Sequence, residues 1–372
     1  MIATPALKTA RSSCNTGGED PAYNLKFIFE PPVQTHKKRT TVQHWQLRDL
    51  IHCSDENPYE VFHANKEKIY KFNVKTLQTV LVQHLDYAAA SFSARYGYLA
   101  TGGHNAQLTV KNLNTDCTMA NTSIGHNINN ACNISRHKSG EHLLLMANND
   151  RNIKIFSMQA LEDSSTVSPL FDITHSVAVN YTCVSPDGNY MACVADNSFV
   201  TLYEMKDVRT FVQVARMSEY RDGGFSCCFN TNSLHLAAAS QDGTVVVWDI
   251  RKVQTPLAKF KSKQKSNKGA VRCVKYSCTS SVDLLAFAEH ETYVHVVDAR
   301  TYQDEQIVSV TEENGVDRIS VFADSSLSSA RDISGLSFSS NSSSLFVGTE
   351  EHLKEFKVDL MSRRIFVQGD LI

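Results

Sequence analysis

The sequence contains no long hydrophobic run. No apolar stretch approaches the about 18 residues that a bilayer-spanning helix requires, and residues 1–20 are polar, without the apolar segment of a secretory signal. We therefore expect residues 1–20 to form a disordered tail, and we expect no association with a membrane. The 37 basic and 39 acidic residues nearly cancel, so no overall field draws the protein towards nucleic acid.

Motifs of common catalytic and metal sites are also absent. The sequence has no P-loop, no G-x-S-x-G nucleophile elbow and no H-E-x-x-H pair, and its 14 histidines lack ligand spacing. None of the ten cysteines forms a C-x-x-C pair, which argues against a zinc site or a redox motif. We therefore expect no catalytic residue, no cofactor and no metal. Free cysteines in apolar runs suit a reducing compartment, the cytoplasm, the nucleus or both.

A repeated strand pattern is the main feature that the sequence does contain. The clearest copy covers residues 224–251, where three strand-like runs are separated by turns and end on the dipeptide Trp248-Asp249. That dipeptide marks a blade of a WD-repeat propeller. When seven copies are aligned on Asp249, the intervals between successive aligned positions are 39, 45, 47, 45, 49 and 59 residues. Most of these intervals are close to the length of a four-stranded blade, about 40–45 residues. The aligned positions are Asn73, Asn112, Ser157, Glu204, Asp249, Asp298 and Lys357.

The pattern predicts an all-β fold, a single seven-bladed WD-repeat β-propeller over residues 21–372, with the last blade in residues 331–372. A single blade cannot bury both of its apolar faces, and only a closed ring removes the exposed ends. Alternating helical segments are missing, which argues against a doubly wound α/β fold. Residues 23–29 and 363–369 each resemble a strand, and either stretch can close the ring.

The central channel is the expected location of a binding site. The innermost strand of each blade lines the channel, its first residues reach one mouth, and the second strand returns to that mouth. These residues either form a recognition ring or satisfy backbone groups of the loops, and the sequence leaves both interpretations open. Arg272 and Glu289 are expected to form an ion pair across one hairpin. The predicted partner-binding set is Arg48, Asn130, Asn149, Asn180, Phe225, Gln241, Arg272, Glu289 and Ser334.

Two segments stand outside the repeats. The polar, partly serine-rich residues 301–331 form an insertion before the last blade, which we expect to be flexible. The second is a basic segment that contains Lys259, Lys261, Lys263, Lys265 and Lys268. Such a segment suits either a solvated loop or a site for acidic partners, nucleic acid or a nuclear import factor.

Several short stretches are more specific than the generic repeat. They are residues 45–50 (WQLRDL), 148–150 (NND), 179–180 (VN), 269–272 (GAVR) with Glu289, and 333–338 (ISGLSF) with 345–348 (LFVG). In these stretches the chain resembles a WD-repeat family of plants and fungi whose members share a short C-terminal domain of unknown function, here residues 331–372. Through this family it also resembles a substrate receptor of the GID/CTLH ubiquitin ligase.

The resemblance implies a receptor that binds protein N-termini at the propeller mouth. An α-amine requires a carboxylate, and Glu289 is the acid in the predicted set, whereas Arg48 and Arg272 favour the opposite charge. The resemblance further implies that the C-terminal tail contacts ubiquitin-ligase scaffold subunits. The residues of this tail are Asp370, Leu371 and Ile372.

The sequence therefore predicts a non-catalytic scaffold whose partners are proteins or peptides. One alternative is a propeller enzyme, which requires facing titratable side chains with strongly shifted pKa values inside the channel. The other alternative is a chromatin or nucleic-acid adaptor that uses the basic segment, whose binding must weaken steeply with salt.

Overall fold

The structure is a computed structural model that describes residues 26–163, 166–311 and 332–364. The predicted tail (residues 1–20), most of the 301–331 insertion and the docking tail Asp370, Leu371 and Ile372 lie outside the described residues.

The described chain forms seven antiparallel sheets of four strands each, which confirms the predicted seven-bladed propeller. The chain begins with the short strand β1 (Gln34–His36) and then enters blade one. Blade one contains β2 (Ile51–Cys53), β3 (Glu60–Asn65), β4 (Lys68–Asn73) and β5 (Thr79–His84). Blade two contains β6 (Ser91–Arg95), β7 (Tyr98–Gly102), β8 (Gln107–Asn112) and β9 (Thr118–Ser123). Blade three contains β10 (Asn129–Arg136), β11 (His142–Asn148), β12 (Asn152–Ser157) and β13 (Phe171–Thr174).

The remaining blades follow the same order from the inner to the outer strand. Blade four contains β14 (Val179–Val184), β15 (Tyr190–Ala195), β16 (Val200–Asp207) and β17 (Thr210–Met217). Blade five contains β18 (Gly224–Phe229), β19 (His235–Ser240), β20 (Thr244–Asp249) and β21 (Ala258–Lys261). Blade six contains β22 (Val271–Tyr276), β23 (Leu284–Glu289), β24 (Tyr293–Asp298) and β25 (Glu305–Ser309). Blade seven contains β26 (Ile333–Phe338), β27 (Ser344–Thr349), β28 (Leu353–Lys357) and the initial strand β1.

The predicted repeat register agrees with the strand pairing. The position aligned on Asp249 falls on the third strand in all seven blades. Asp249 pairs with His235, and Asp298 pairs with Leu284, which are the first residues of the second strands. The register is recoverable from sequence because the aligned position recurs at or near the end of each third strand.

The N-terminal segment closes the ring. Strand β1 pairs antiparallel with β28 as the outer strand of blade seven. The closing ladder therefore lies after the predicted 23–29 stretch, from which Ile28 contributes an isolated bridge to Val358. The other candidate, residues 363–369, begins inside a helix and continues outside the described residues.

The core lies between the blades. Six clusters of buried apolar side chains together span all seven boundaries between neighbouring blades. Trp248 is buried in the cluster that joins blade five to blade four, and Ile51 packs with Phe346 where blade one meets blade seven. The ring is therefore continuous, because apolar contact between blades has no gap.

Helices are minor elements of the described chain. They are α1 (Met158–Asp163), α2 (Leu360–Arg364) and a 3₁₀ turn (Ser266–Gly269). No helix among the described residues is long and apolar enough to cross a bilayer.

Candidate functional site

The inner strands of five blades begin with a β-bulge. In each of these strands the pairing register skips one residue, and that residue belongs to the predicted partner-binding set. A bulge leaves its extra residue out of the ladder and changes the direction of its side chain. The prediction thus selected equivalent backbone positions near the upper mouth, our name for the channel end where the inner strands begin. The skipped residues are Asn130, Asn180, Phe225, Arg272 and Ser334.

The two bulge asparagines connect neighbouring blades. Nδ2 of Asn130 donates to the Val179 carbonyl at 2.8 Å, and Nδ2 of Asn180 donates to the Gly224 carbonyl at 2.9 Å. Both asparagines are buried, whereas the predicted residue Asn149 is exposed. For Asn130 and Asn180 the contacts therefore match the alternative interpretation, in which polar side chains satisfy backbone groups.

Ser334 anchors the chain that enters blade one. Its hydroxyl lies 2.6 Å from the Thr40 hydroxyl, and its carbonyl accepts from the Leu50 amide at 3.0 Å. These bonds attach the segment between β1 and β2 to blade seven on both sides of residues 44–47.

Residues 44–47 form a turn that lies across the upper mouth. The Leu47 amide donates to the His44 carbonyl at 3.2 Å, which closes the turn. On one side Arg272 of blade six donates to the Trp45 carbonyl, and on the other the His44 ring lies 5.9 Å from the ring of His104 in blade two. The Trp45 side chain is 58% exposed. The turn thus presents an aromatic ring to solvent at the mouth where the sequence predicted a binding site.

Two buried arginines meet beneath this turn. Nη2 of Arg272 donates to Oε1 of Gln241 at 3.1 Å, and Nη2 of Arg48 donates to Oδ2 of Asp332 at 2.8 Å. Nδ1 of His290 lies 2.9 Å from Nη1 of Arg272 and 3.3 Å from Nη2 of Arg48. Because a guanidinium only donates, Nδ1 is the accepting nitrogen. We call the set Trp45, Arg48, Gln241, Arg272, His290 and Asp332 the mouth cluster.

Burial and mutual repulsion set the charges of the mouth cluster. Burial, followed by the nearby Arg48, lowers the pKa of Arg272 to about 10. Burial and the positive charge of Arg272 lower the pKa of His290 to about 4, so this imidazole is neutral at pH 7. The Trp45 and Phe225 rings lie 5.3 and 6.0 Å from the Arg272 guanidinium carbon.

Glu289 lies apart from the mouth cluster, so the expected ion pair with Arg272 is wrong. Glu289 is fully buried, its Oε1 lies 2.8 Å from Nε2 of His295, and the Lys263 amide donates to the same oxygen. The bulge explains the difference, because Arg272 leaves the ladder and Val271 takes the position opposite Glu289.

A divalent cation does not suit the mouth cluster. His290, Glu291 and Asp332 have ligand atoms within 4.8 Å of one another. However, Arg48 contacts two of these residues, and Lys268 lies 3.3 Å from the Glu291 carboxylate. With Arg272, which lies 2.9 Å from Nδ1 of His290, three resident cations at this distance oppose the binding of another positive charge.

A second ionic group crosses the channel below the mouth. Lys275 of blade six lies 2.9 Å from Oδ2 of Asp49 and 2.9 Å from the Tyr181 hydroxyl, which donates to Asp49 at 2.6 Å. Burial alone raises the pKa of Asp49 and lowers that of Lys275, but their mutual attraction prevails and reverses both shifts. Both groups are therefore charged at pH 7, which favours a structural connection over the acid–base pair of the enzyme alternative.

A cavity of about 560 Å³ lies at the lower end of the channel. Its lining contains the thiols of five cysteines, and two of them, Cys183 and Cys227, have sulfur atoms 3.4 Å apart. Burial raises the pKa of Cys227 well above its usual range. A buried protonated thiol is a poor nucleophile and a poor metal ligand, so Cys227 acts as a core side chain.

The basic segment is largely engaged with the rest of the protein. Lys259 lies on β21 and approaches Glu219 at 3.5 Å, and Lys268 approaches Glu291 at 3.3 Å. Lys263 lies 4.3 Å from the centre of an aromatic ring. These contacts weaken the alternative of a nucleic-acid site, which requires uncompensated basic side chains.

Sequence reasoning missed three members of the mouth cluster. Trp45 could have been found from its rarity and position, because it is one of two tryptophans in the sequence and lies outside the repeats. His290 follows the second strand of blade six, one residue after the predicted Glu289, and Asp332 precedes the first strand of blade seven, two residues before the predicted Ser334.

Comparison with known families identifies two segments. The model of the WD domain, G-beta repeat, matches residues 219–249, which contain blade five up to Asp249. The model of an uncharacterised domain, DUF2415, matches residues 269–309. That match covers blade six, whereas the resemblance in the sequence led us to expect a domain of unknown function in residues 331–372.

Two fungal proteins and one solved structure are similar to the chain. An uncharacterised protein of Schizosaccharomyces pombe is 27% identical over 345 residues, covering 91% of this chain and 94% of its own. An uncharacterised protein of Saccharomyces cerevisiae is 27% identical over 241 residues, covering 56% of this chain and 32% of its own. A chain in a crystal structure of the mitotic checkpoint complex has a TM-score of 0.70 at 12% identity, covering 96% of this chain and 99% of that one. The chain is therefore a seven-bladed β-propeller in which one segment matches the WD-repeat model and another matches the DUF2415 model, and it is similar along most of its length to an uncharacterised fission-yeast protein.

Proposed function

We propose that this protein is a non-catalytic adaptor that holds partner proteins at its upper mouth, with Trp45 as the principal anchor. The observation that carries the proposal is the exposure of Trp45, 58%, on a turn whose backbone is fixed by Arg272. Tryptophan and arginine are the residues most often responsible for binding energy in protein interfaces. A backbone that is already held in place loses little conformational freedom on binding.

The architecture supports the same role. WD-repeat propellers typically bind other proteins, and the described channel holds an ion pair where an enzyme would need a titrating group. The exposed ring lies directly above the two buried arginines, an arrangement that suits a peptide or a protein loop better than a small molecule.

We further propose that the adaptor serves a ubiquitin ligase of the GID/CTLH type. Support comes from the sequence resemblance, which concerns substrate receptors that bind protein N-termini. In this chain the carboxylate of the mouth cluster is Asp332, which already bonds Arg48, so the charge of the ligand is treated separately below.

Affinity purification of the full-length chain tests the adaptor role. Wild type is compared with Trp45→Ala, with the conservative Trp45→Phe and with Met361→Ala, a control at an exposed apolar residue on α2. We expect Trp45→Ala to lower the recovery of the main partners about tenfold or more, the effect of losing a hot-spot aromatic. Trp45→Phe and Met361→Ala should retain most of the recovery.

Identical partner lists for wild type and Trp45→Ala would contradict a site at the upper mouth. Ligase scaffold subunits are expected in both samples, because their docking should not depend on the substrate-binding mouth. Their absence from both samples would remove the ligase proposal and leave the adaptor proposal intact.

A further inference from the structure

We propose that the upper mouth binds a carboxylate of its partner, supplied by an acidic side chain or by a C-terminus, and that Arg272 is the residue that receives it. This inference rests on the proposed adaptor function, because it specifies the ligand chemistry of the same site.

The first argument is the pairing of charges. Asp332 bonds Arg48, and Glu291 is paired with Lys268. Among the described residues, the hydrogen-bond partners of Arg272 are neutral, namely the Trp45 carbonyl, His290 and Gln241. A buried guanidinium without an acid is unfavourable, and an incoming carboxylate relieves that cost.

Groups on the surrounding elements do not supply the missing charge. His44 lies beside Arg272, and burial, His104 and the two arginines lower its pKa, which keeps its ring neutral at pH 7. Asp196 partly offsets the lowering of the His44 pKa, and Glu350 partly offsets the lowering of the Arg48 pKa by burial, but both carboxylates act only through electrostatic attraction and form no hydrogen bond with these residues. With two guanidinium groups and one bonded carboxylate, the mouth cluster has an excess of one positive charge.

The second argument is the set of donors that the protein leaves unused. The Nε atoms of Arg48 and Arg272 are buried without a hydrogen-bond partner in the described part of the chain. Buried donors are normally satisfied, so the pair of guanidiniums has more donors than the acceptors around it can serve. Carboxylates accept paired N–H donors and are the side-chain acceptors that match an arginine best.

The third argument is the apolar surroundings of Arg272. The rings of Trp45 and Phe225 flank its guanidinium and exclude water from it. A low local dielectric strengthens attraction to an anion and equally strengthens repulsion of an α-amine. The same ring of Trp45 that anchors the partner therefore also increases selectivity for negative charge.

Calorimetric titration with four unlabelled octapeptides of glycine and serine tests the inference. The first peptide carries three central glutamates and blocked ends, and the second carries glutamines at the same places. The third is neutral with a free C-terminus, and the fourth is neutral with a free N-terminal threonine and an amidated end. The first and third peptides separate a side-chain carboxylate from a terminal one.

We expect the glutamate peptide, the free C-terminal peptide or both to bind wild type at least about tenfold more tightly than the glutamine peptide, as charge-assisted bonds to a buried arginine allow. Arg272→Gln should remove that preference, and Arg272→Lys should keep part of it. Arg251→Gln should leave it unchanged, because Arg251 is a solvent-exposed arginine bonded to Asp249. Thermal melting of each variant shows whether the propeller is intact.

Equal affinity for the glutamate and glutamine peptides, tightest binding of the threonine peptide, or no heat with any peptide up to about 1 mM would overturn the inference. If Trp45→Ala nevertheless abolishes partner recovery, the adaptor proposal survives such a result and only the inference of a carboxylate ligand is refuted. If acidic peptides bind but partner recovery does not depend on Trp45, the adaptor proposal fails at this site.

Discussion

Replacement of Lys275 by methionine should destabilise the propeller through the ionic group that crosses its channel. Methionine keeps an unbranched stem but removes the ammonium, which lies 2.9 Å from both Asp49 and the Tyr181 hydroxyl. The Asp49 carboxylate, whose side chain is 14% exposed, then remains beside the Tyr181 hydroxyl at 2.6 Å and His52 at 3.7 Å without a cation. A buried carboxylate that loses its counter-ion is far more costly than a pair that was never present.

The expected size of the effect follows from the burial of the pair. Removing one partner of a buried ion pair costs about 3–5 kcal/mol. Unfolding entropies of about 2.1 cal/mol/K per residue give roughly 0.8 kcal/mol/K for 372 residues. The Tm of Lys275→Met should therefore fall by about 4–6 °C.

Thermal melting of two single variants, Lys275→Met and Asp49→Asn, and of their double variant tests this reasoning. The double variant contains no unpaired charge and should recover much of the loss, because apolar or neutral replacements of both partners are often tolerated. Lys206→Met is the matched control, since Lys206 forms a partly exposed pair with Glu204 and should change the Tm by about 1 °C or less.

The pH dependence provides a further check on the same pair. The pKa of Asp49 is lowered, so its contribution to stability is present above its unfolded value of 3.8 and is lost on acidification. The pKa of Lys275 is raised, so its contribution is present below 10.5 and is lost only in strong alkali. The Tm difference between wild type and Lys275→Met should thus be constant between about pH 6 and pH 9. A difference below about 1 °C, or a double variant whose loss equals the sum of the two single losses, would refute the proposed coupling.

Three other predictions concern separate parts of the ring. Burial alone lowers the pKa of His295, but hydrogen bonds with Glu289 and Glu305 raise it overall. The stabilisation from this group is therefore complete below pH 6.5 and is lost as the pH rises through the raised pKa. The Tm of wild type should fall over that range, and the Tm of His295→Gln should change less steeply with pH. Trp248→Ala should lower the Tm by about 4–6 °C, because it leaves a large cavity between blades, and a change within about 1 °C would contradict that packing. Cys117 is exposed, so Cys117→Ser should remove one equivalent from the native thiol titre.

The blade count and the register could be predicted because they repeat. The aligned position recurs at or near the end of every third strand, and one alignment on Asp249 fixes the other copies. The closing strand does not share that signal. Strand β1 has three residues, Gln34–His36, none of them buried, and backbone pairing with Leu353–Lys357 holds it in place. A sequence pattern that reports burial cannot identify a strand that buries nothing.

The site was predictable in its positions but not in its contacts. The bulge residues were found because each is the second residue of its inner strand, at a fixed distance before a turn. The bulge itself was not visible, and it separates Arg272 from Glu289 by shifting Val271 into the ladder. Trp45 escaped detection because its role depends on where the chain between blade seven and blade one crosses the mouth, which is a property of the closed ring.

Ring closure and the candidate site therefore depend on each other. The chain leaves β1 on blade seven, is anchored at Ser334 by Thr40 and Leu50, and reaches blade one only after it has crossed the upper mouth. The Trp45 turn is held between these anchors on blade seven, and the same segment begins in the pairing of β1 with β28. We therefore expect opening of the closing strand to loosen the turn and admit water to the two arginines, which weakens both the rigid anchor and the low dielectric on which carboxylate binding relies. Partner affinity should consequently respond to the stability of the closing strand as well as to the residues that touch the partner.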